Sequence, residues 1–329
     1  MDLSGSLVAF GFLQSAIYLL FIRAIDLYER EPLRYVVPVF LWGFAVATTV
    51  SLVFNTLFQL TLSSVTSVKT ANFFTAVAVA PVVEECSKGF ALLLIFFVAY
   101  LARRRTGLIE FAGVMDGIVY GSAVGFGFAL AEDILYGLQF GAETFVVRRI
   151  LGGFAHAAFT SLTGIGIGLI PWVRHRSLAI FPPLLGLLGA ILLHATFNFT
   201  ATLFGPVAYL LLFVVVLLYL VTIIVWLAIE RRVIREELRD EVTAGLVSPE
   251  EEAIVPTYFR RTGYYLRLIL TGQLGNWSRA RQIHAAEVDL AFAKRLARCS
   301  PSPAREERVR ALRQKISNLR ATSALQTAP

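Results

Sequence analysis

Three charged side chains fall within five residues of an otherwise apolar stretch, in the string Pro81-Val-Val-Glu-Glu-Cys-Ser-Lys-Gly. On a helix, Lys88 lies three residues from Glu85 and four from Glu84, so it shares a face with both carboxylates. Three further apolar stretches carry groups that hydrocarbon does not tolerate. Asp116 lies in one, and Glu132 with Asp133 follows in the same stretch, in Phe128-Ala-Leu-Ala-Glu-Asp. His156 stands in Phe154-Ala-His-Ala-Ala-Phe-Thr160, and His194 precedes Asn198 by four residues. Carboxylates and imidazoles of this kind take up and return protons or bind a divalent ion. Each also has a structural reading: an intramembrane histidine commonly bonds helix to helix, and a Glu–Lys pair commonly neutralises itself. The ordered combination is what argues for a site.

These residues need elements to hold them, and the composition says which. Of 329 residues, 57% are hydrophobic and only 16% charged, and the mean hydropathy is +0.68. A soluble domain of this length carries about a quarter charged residues. Disordered, collagen-like and coiled-coil chains are excluded. Seven stretches are long enough to cross a bilayer, at 7–22, 35–59, 72–101, 111–136, 146–171, 179–203 and 207–229. The sequence therefore predicts an all-α polytopic membrane protein of about seven transmembrane helices, with a C-terminal helical cytosolic tail domain. Pro81 should kink or break the third span, since it has no N–H to give. Gly113, Gly117, Gly121 and Gly125 repeat every fourth residue in the fourth span, a pattern that lets helices approach closely in lipid.

Depth gathers the polar residues. Counted from the predicted outer ends, Glu84, His156 and His194 lie about 9 to 12 residues inside their helices, roughly 14–18 Å at 1.5 Å per residue. Glu132 lies nearer its outer boundary. Four helices thus present carboxylates and imidazoles at a similar level. Asp116 sits near the inner end of its span and reads as structural. Cys86 reads as a small buried residue. His175 lies in a basic loop and His284 in the tail, where both are expected to be solvated.

Charge sets the expected topology. Residues 1–230 hold 12 basic and 12 acidic side chains, and the remaining 99 hold 18 and 11. The tail accounts for the whole net charge of +7. One set of loops contains Arg23, Arg30 and Arg34, then Arg103, Arg104 and Arg105, then Arg174 and Arg176, then Arg231, Arg232 and Arg235. The other set contains Lys69, Glu143 near Arg148 and Arg149, and the turn at Gly205-Pro206. Cytoplasmic loops carry the Lys/Arg excess, which puts the amino terminus outside and the tail in the cytoplasm. The expected organisation is 1–229 as the transmembrane core, 230–320 as a basic helical tail and 321–329 as disordered. Within the tail, a helix should start at Ser248, and 278–298 and 304–320 should be amphipathic helices. Its basic surface is expected to face water or anionic lipid. No nucleic-acid motif accompanies it.

The ordered set Glu84-Glu85-x-x-Lys88, Asp116-Gly-Ile-Val-Tyr-Gly121, Phe128-x-x-x-Glu132, His156 and His194-x-x-x-Asn198 resembles the PrsW family of intramembrane metalloproteases. That family is distantly similar to the type II CAAX prenyl proteases. The resemblance covers residues 5–229; Asp133 departs from it, where the family is expected to have Asn. It implies an integral cell-membrane endopeptidase that cleaves a membrane-anchored protein or peptide near the extracytoplasmic face, with the lipid bilayer as its surroundings. Under it Glu132, His156 and His194 are assigned as ligands of a divalent metal, most simply Zn²⁺, and Glu84 as general base. Glu85 orients or ligates, Lys88 neutralises, and Asn198 donates to the oxyanion or fixes His194. A metal-free route, with Glu84 and Glu132 activating water, stays open. The rival from another class is a proton- or ion-coupled transporter using the same buried groups; no inverted repeat supports it. The sequence names neither the substrate nor the oligomeric state.

Overall fold

A computed structural model describes residues 4–106 and 111–326, without the side chains of 103–106 and 322–326. The side chains of Arg103, Arg104 and Arg105 therefore lie outside the described set. All regular structure among the described residues is helical. The first ten helices are α1 (Gly5–Ile25), α2 (Leu33–Leu41), α3 (Thr48–Ser63), α4 (Val68–Phe74), α5 (Ala80–Thr106), α6 (Val114–Phe140), α7 (Ala142–Leu151), α8 (Ala155–Gly168), α9 (Phe181–Phe204) and α10 (Ala208–Thr243). Wide π-helical turns join α2 to α3 over Trp42–Ala47 and α4 to α5 over Thr75–Val79. Four more follow: α11 (Pro249–Ile254), α12 (Tyr258–Leu270), α13 (Leu274–Cys299) and α14 (Pro303–Gln326).

By length and composition, four helical stretches among the described residues suit a membrane crossing, and a fifth does if α7 and α8 count as one bent span. The chain is an integral membrane protein. Outward side chains of the first unit are those that lipid accepts, such as Leu13 at 60%, Leu185 at 66% and Phe213 at 68% exposure. Cys86, expected to be buried, is among the exposed ones, on the outward face of its helix.

Contacts divide the chain in two. The first unit comprises Met1–Asp26, Arg30–Ile170 and Arg176–Ile223. Its axis is α6, whose long apolar stretch is enclosed on every side, as a helix apolar all round must be. The glycine repeat explains how. A methyl on Gly117 would meet the Gly164 carbonyl oxygen of α8 at 2.2 Å, and one on Gly125 would meet Ala157 N at 2.5 Å. On the opposite side Gly127 faces the carbonyl of Phe40, at 2.0 Å from such a methyl. The backbones touch, and no larger side chain fits.

Two breaks shape the region around α6. Gly141 adopts φ +94°, a conformation open mainly to glycine, and reverses the chain between α6 and α7. The predicted span 146–171 is not one helix; α7 and α8 meet at a 45° bend beside Gly152 and Gly153. Pro81 does not break the third span. It sits in the first turn of α5, where a missing N–H is tolerated, and the helix absorbs the disruption in the π turn just before it.

The second unit comprises Leu27–Glu29, Pro171–His175 and Ile224–Pro329. Its apolar core joins Ile234 and Leu238 to Val247, Val255, Val288 and Ala291. Ser248 and Glu251 form a reciprocal capping box at the start of α11. Arg320 bonds both Glu251 and Glu287, at 2.6 and 2.8 Å. Desolvation carries the buried Glu287 carboxyl up to about 8 and the His284 ring down to about 4, so His284 is buried and neutral rather than solvated. The helices expected over 278–298 and 304–320 are α13 and α14; α14 continues to Gln326, past the start of the segment expected to be disordered, and 327–329 lie outside the described residues.

Candidate active site

One α5 turn carries the first half of the site. Lys88 Nζ lies 2.8 Å from Glu85 Oε1 and 3.4 Å from Glu84 Oε2. It also donates to His156 Nδ1 at 3.0 Å and sits 3.8 Å from the Phe128 ring centroid. The ammonium is fully buried, so the two carboxylates, the imidazole and the ring replace its water. Glu85 is enclosed as well: its Oε2 accepts from Thr160 at 2.9 Å, and its Oε1 lies 3.0 Å from His194 Nδ1.

The second half comes from α6, α7 and α8. His156 Nε2 donates to Glu132 Oε2 at 2.8 Å while its Nδ1 accepts from Lys88. The same Glu132 oxygen accepts from Arg148 at 2.6 Å. Arg148 also bonds Asp133 at 2.7 Å, and Arg149 reaches the other Asp133 oxygen at 3.2 Å. Arg149 is 1% exposed and finishes its bonds on Gln14 and Ser15 of α1, at 3.0 and 2.9 Å. Asp133 is thus fully used as the bridge between two arginines.

These arginines were read from sequence as outer-loop charges. They are helix residues turned inward by the Gly141 reversal, paired with the end of α6. Their position inside the apolar segment 146–171 was the available signal, because a charge there requires a partner. Thr160 and Phe128 carried no such signal.

The structure gathers Glu84, Glu85, Lys88, Glu132, His156 and His194 into one cluster. The rings of His156 and His194 stand 5.1 Å apart, nearly perpendicular. Within it, Glu84, His156 and His194 each offer a ligand atom within 4.8 Å of the others. His194 Nε2 faces Glu84 Oε2 at 3.8 Å, and its Nδ1 is held by Glu85. A carboxylate on the far nitrogen is the usual support of a metal-bound histidine. Formally, four carboxylates (Glu84, Glu85, Glu132, Asp133) face three cations, which leaves one negative charge to be met. The donor set fits a divalent ion.

Asn198 is placed elsewhere. Its Nδ2 donates to the Ala76 carbonyl at 2.9 Å, in the π turn. The reason lies in Pro81. A π-type bond from Ala76 would run to residue 81, which has no N–H, and the Ala80 N–H is engaged by Thr75. Asn198 supplies the donor that Pro81 lacks. Asn198→Ala should therefore cost about 1–3 kcal/mol by leaving a carbonyl unpaired, read as a lower melting temperature in detergent. An unchanged melting temperature would show that the bond contributes nothing.

Asp116 is remote. It lies 16 residues before Glu132 on the same straight helix, about 24 Å along the axis. Its Oδ2 accepts from Ala112 N at 2.7 Å, and it groups with Asp26 and Glu31.

The sequence model of the family described as "PrsW family intramembrane metalloprotease" matches residues 31–227, which is more than half of the chain. The chain belongs to the PrsW family. Among its relatives, Protease PrsW of Geobacillus kaustophilus (strain HTA426) is 32% identical over 163 residues, 50% of this chain and 66% of the relative. Protease PrsW of Shouchella clausii (strain KSM-K16) is 33% identical over 138 residues, 41% and 60% respectively. Protease PrsW of Bacillus subtilis (strain 168) is 29% identical over 177 residues, 54% and 74%. The chain thus spans less than two thirds of the length of the first two. All three carry the name of a protease, which gives the transporter reading no support, and no solved structure matches. The PrsW match stops short of the second unit's tail helices.

Proposed function

We propose that this PrsW-family chain is an endopeptidase that hydrolyses a peptide bond of a membrane-anchored protein or peptide. One observation carries the reading: Glu84, His156 and His194 converge from three helices in one buried cluster. Two imidazoles and a carboxylate suit Zn²⁺ with a position left for water. Bound there, the ion would polarise the scissile carbonyl and acidify water. This set exchanges the roles of Glu84 and Glu132 relative to the sequence reading.

The protein's own groups have distinct tasks. Glu132, whose side chain is 21% exposed against 7% for Glu84 and none for Glu85, is the most accessible of these three carboxylates and takes the proton. Arg148 anchors it. Glu85 fixes the His194 ring, and Lys88 offsets the charge of the α5 pair. His156 uses both nitrogens, on Lys88 and Glu132, so one bond yields when the ring serves as a donor to metal.

The proposed topology keeps seven crossings, with the amino terminus outside and the tail in the cytoplasm. Its support is that α9 and α10 are separate helices about Gly205 (φ +55°), and that α5 is 27 residues long. Pairing Arg148 and Arg149 with Asp133 also removes two positive charges from the outer loops. Reconstituted protein should cleave a single-span substrate in vesicles, and a chelator should stop it reversibly. Cysteine at Thr66 should label from outside and at Asp240 only after permeabilisation. Chelator-resistant cleavage would favour the metal-free glutamate route, and outside labelling at 240 would overturn the orientation.

A further inference from the structure

Helix α12 faces the wrong way for a soluble domain. Its inward face carries Arg261, Tyr265 and Leu268, with Arg261 8% exposed and bonded to the Val255 and Leu27 carbonyls. Its outward face carries Phe259, Leu266 and Leu270, exposed by 84%, 52% and 77%. At 100° per residue, positions 259, 263, 266 and 270 form one stripe along the helix. The stripe is bare: a methyl built on Gly263 meets nothing within 4 Å. Ile269, 41% exposed, borders it on one side. Arg260 and Arg267, seven residues apart and both exposed, border it on the other.

An ordinary surface helix buries its leucines and exposes its arginines. Here an arginine is buried while a phenylalanine and two leucines are in the open, so folding of the second unit does not account for the stripe. Charge selects the occupant. The tail holds 18 basic against 11 acidic side chains, and arginines beside large apolar residues are the composition of helices that lie in a lipid interface. The chain also enters this unit through α10, whose first half is a membrane-type helix, so the unit never leaves the neighbourhood of a bilayer.

We propose that α12 is an in-plane membrane helix, inserting Phe259, Leu266 and Leu270 among the acyl chains of an anionic leaflet while Arg260 and Arg267 meet its phosphates. The unit is thereby held to the leaflet surface rather than hanging from α10. The inference is independent of the protease reading, since no site residue lies in this unit.

The test is amide hydrogen exchange of the full chain in nanodiscs, one set of phosphatidylcholine alone and one containing phosphatidylglycerol. Exchange across 258–272 should slow in the anionic discs. Phe259→Ser/Leu266→Ser/Leu270→Ser should abolish the slowing while α13 and α14 exchange as before, which shows the unit still folded. Arg260→Gln and Arg267→Gln should each lower the docked-to-undocked ratio by roughly fivefold, the equivalent of about 1 kcal/mol per basic residue at an anionic surface. Equal exchange in both lipids would overturn the proposal. So would slowing that follows protein density rather than lipid charge, which would make a second copy the occupant.

Discussion

Glu132→Gln is expected to stop cleavage while leaving metal content intact, whereas Glu84→Gln is expected to stop cleavage and release the metal. Both substitutions keep volume and remove a charge, so they separate chemistry from packing. Loss of a general base lowers rate by roughly 10²–10⁴-fold, well within reach of a cleavage assay on vesicles. The two variants differ because Glu84 alone of the pair groups with both imidazoles within 4.8 Å, while Glu132 is committed to His156 and Arg148. If Glu84→Gln keeps its metal and Glu132→Gln loses it, the roles return to those read from sequence. If both cleave normally, the cluster is a structural charge network and the proposed site is wrong. Glu85→Gln provides an internal scale. It acts through His194, and removal of such a supporting carboxylate costs about 10–100-fold in metal affinity or activity.

The second large effect is on the metal itself. Purified protein should carry about one divalent ion per chain, and a His156→Ala/His194→Ala variant about none, because the ion's binding energy depends on both rings. Elemental analysis reads this directly, without any substrate. The variant should still insert, since the α6–α8 contact is made by main chain at Gly117 and Gly125, which the alanines leave in place. Full activity in protein stripped of metal would leave Glu84 and Glu132 as the water-activating pair.

Much of the site was legible because a charge in an apolar stretch is conspicuous. Glu84, Glu85, Lys88, Glu132, His156 and His194 were all found that way, and their shared depth followed from counting residues. Depth says nothing of rotation about a helix axis. Rotation is what sets Glu84 within 4.8 Å of both imidazoles and points Glu132 at His156 and Arg148. Hydropathy likewise read 146–171 as one span, since a pair of glycines does not interrupt an apolar run; the 45° bend beside Gly152 and Gly153, and the Gly141 reversal that brings Arg148 to Glu132, were invisible to it. Asn198 was assigned to chemistry because its spacing from His194 was visible and its debt to Pro81, on another helix, was not. In the tail, α12 went unread because the buried Arg261 and the exposed Phe259, Leu266 and Leu270 stand on the reverse of their usual faces.

The contact between α6 and its neighbours also governs what genetics can reveal about this protein. Wherever Gly117, Gly125 or Gly127 is replaced, the new carbon lands on a neighbouring main chain, not on a side chain that can step aside. An unbiased mutational scan should therefore rank these three positions beside the carboxylates as intolerant. Intolerance alone would draw a false active site along the whole length of α6. Recovering the true one requires scoring surviving protein separately from surviving activity. Glycine variants should vanish from the membrane fraction, whereas Glu132→Gln should accumulate there, intact and inert.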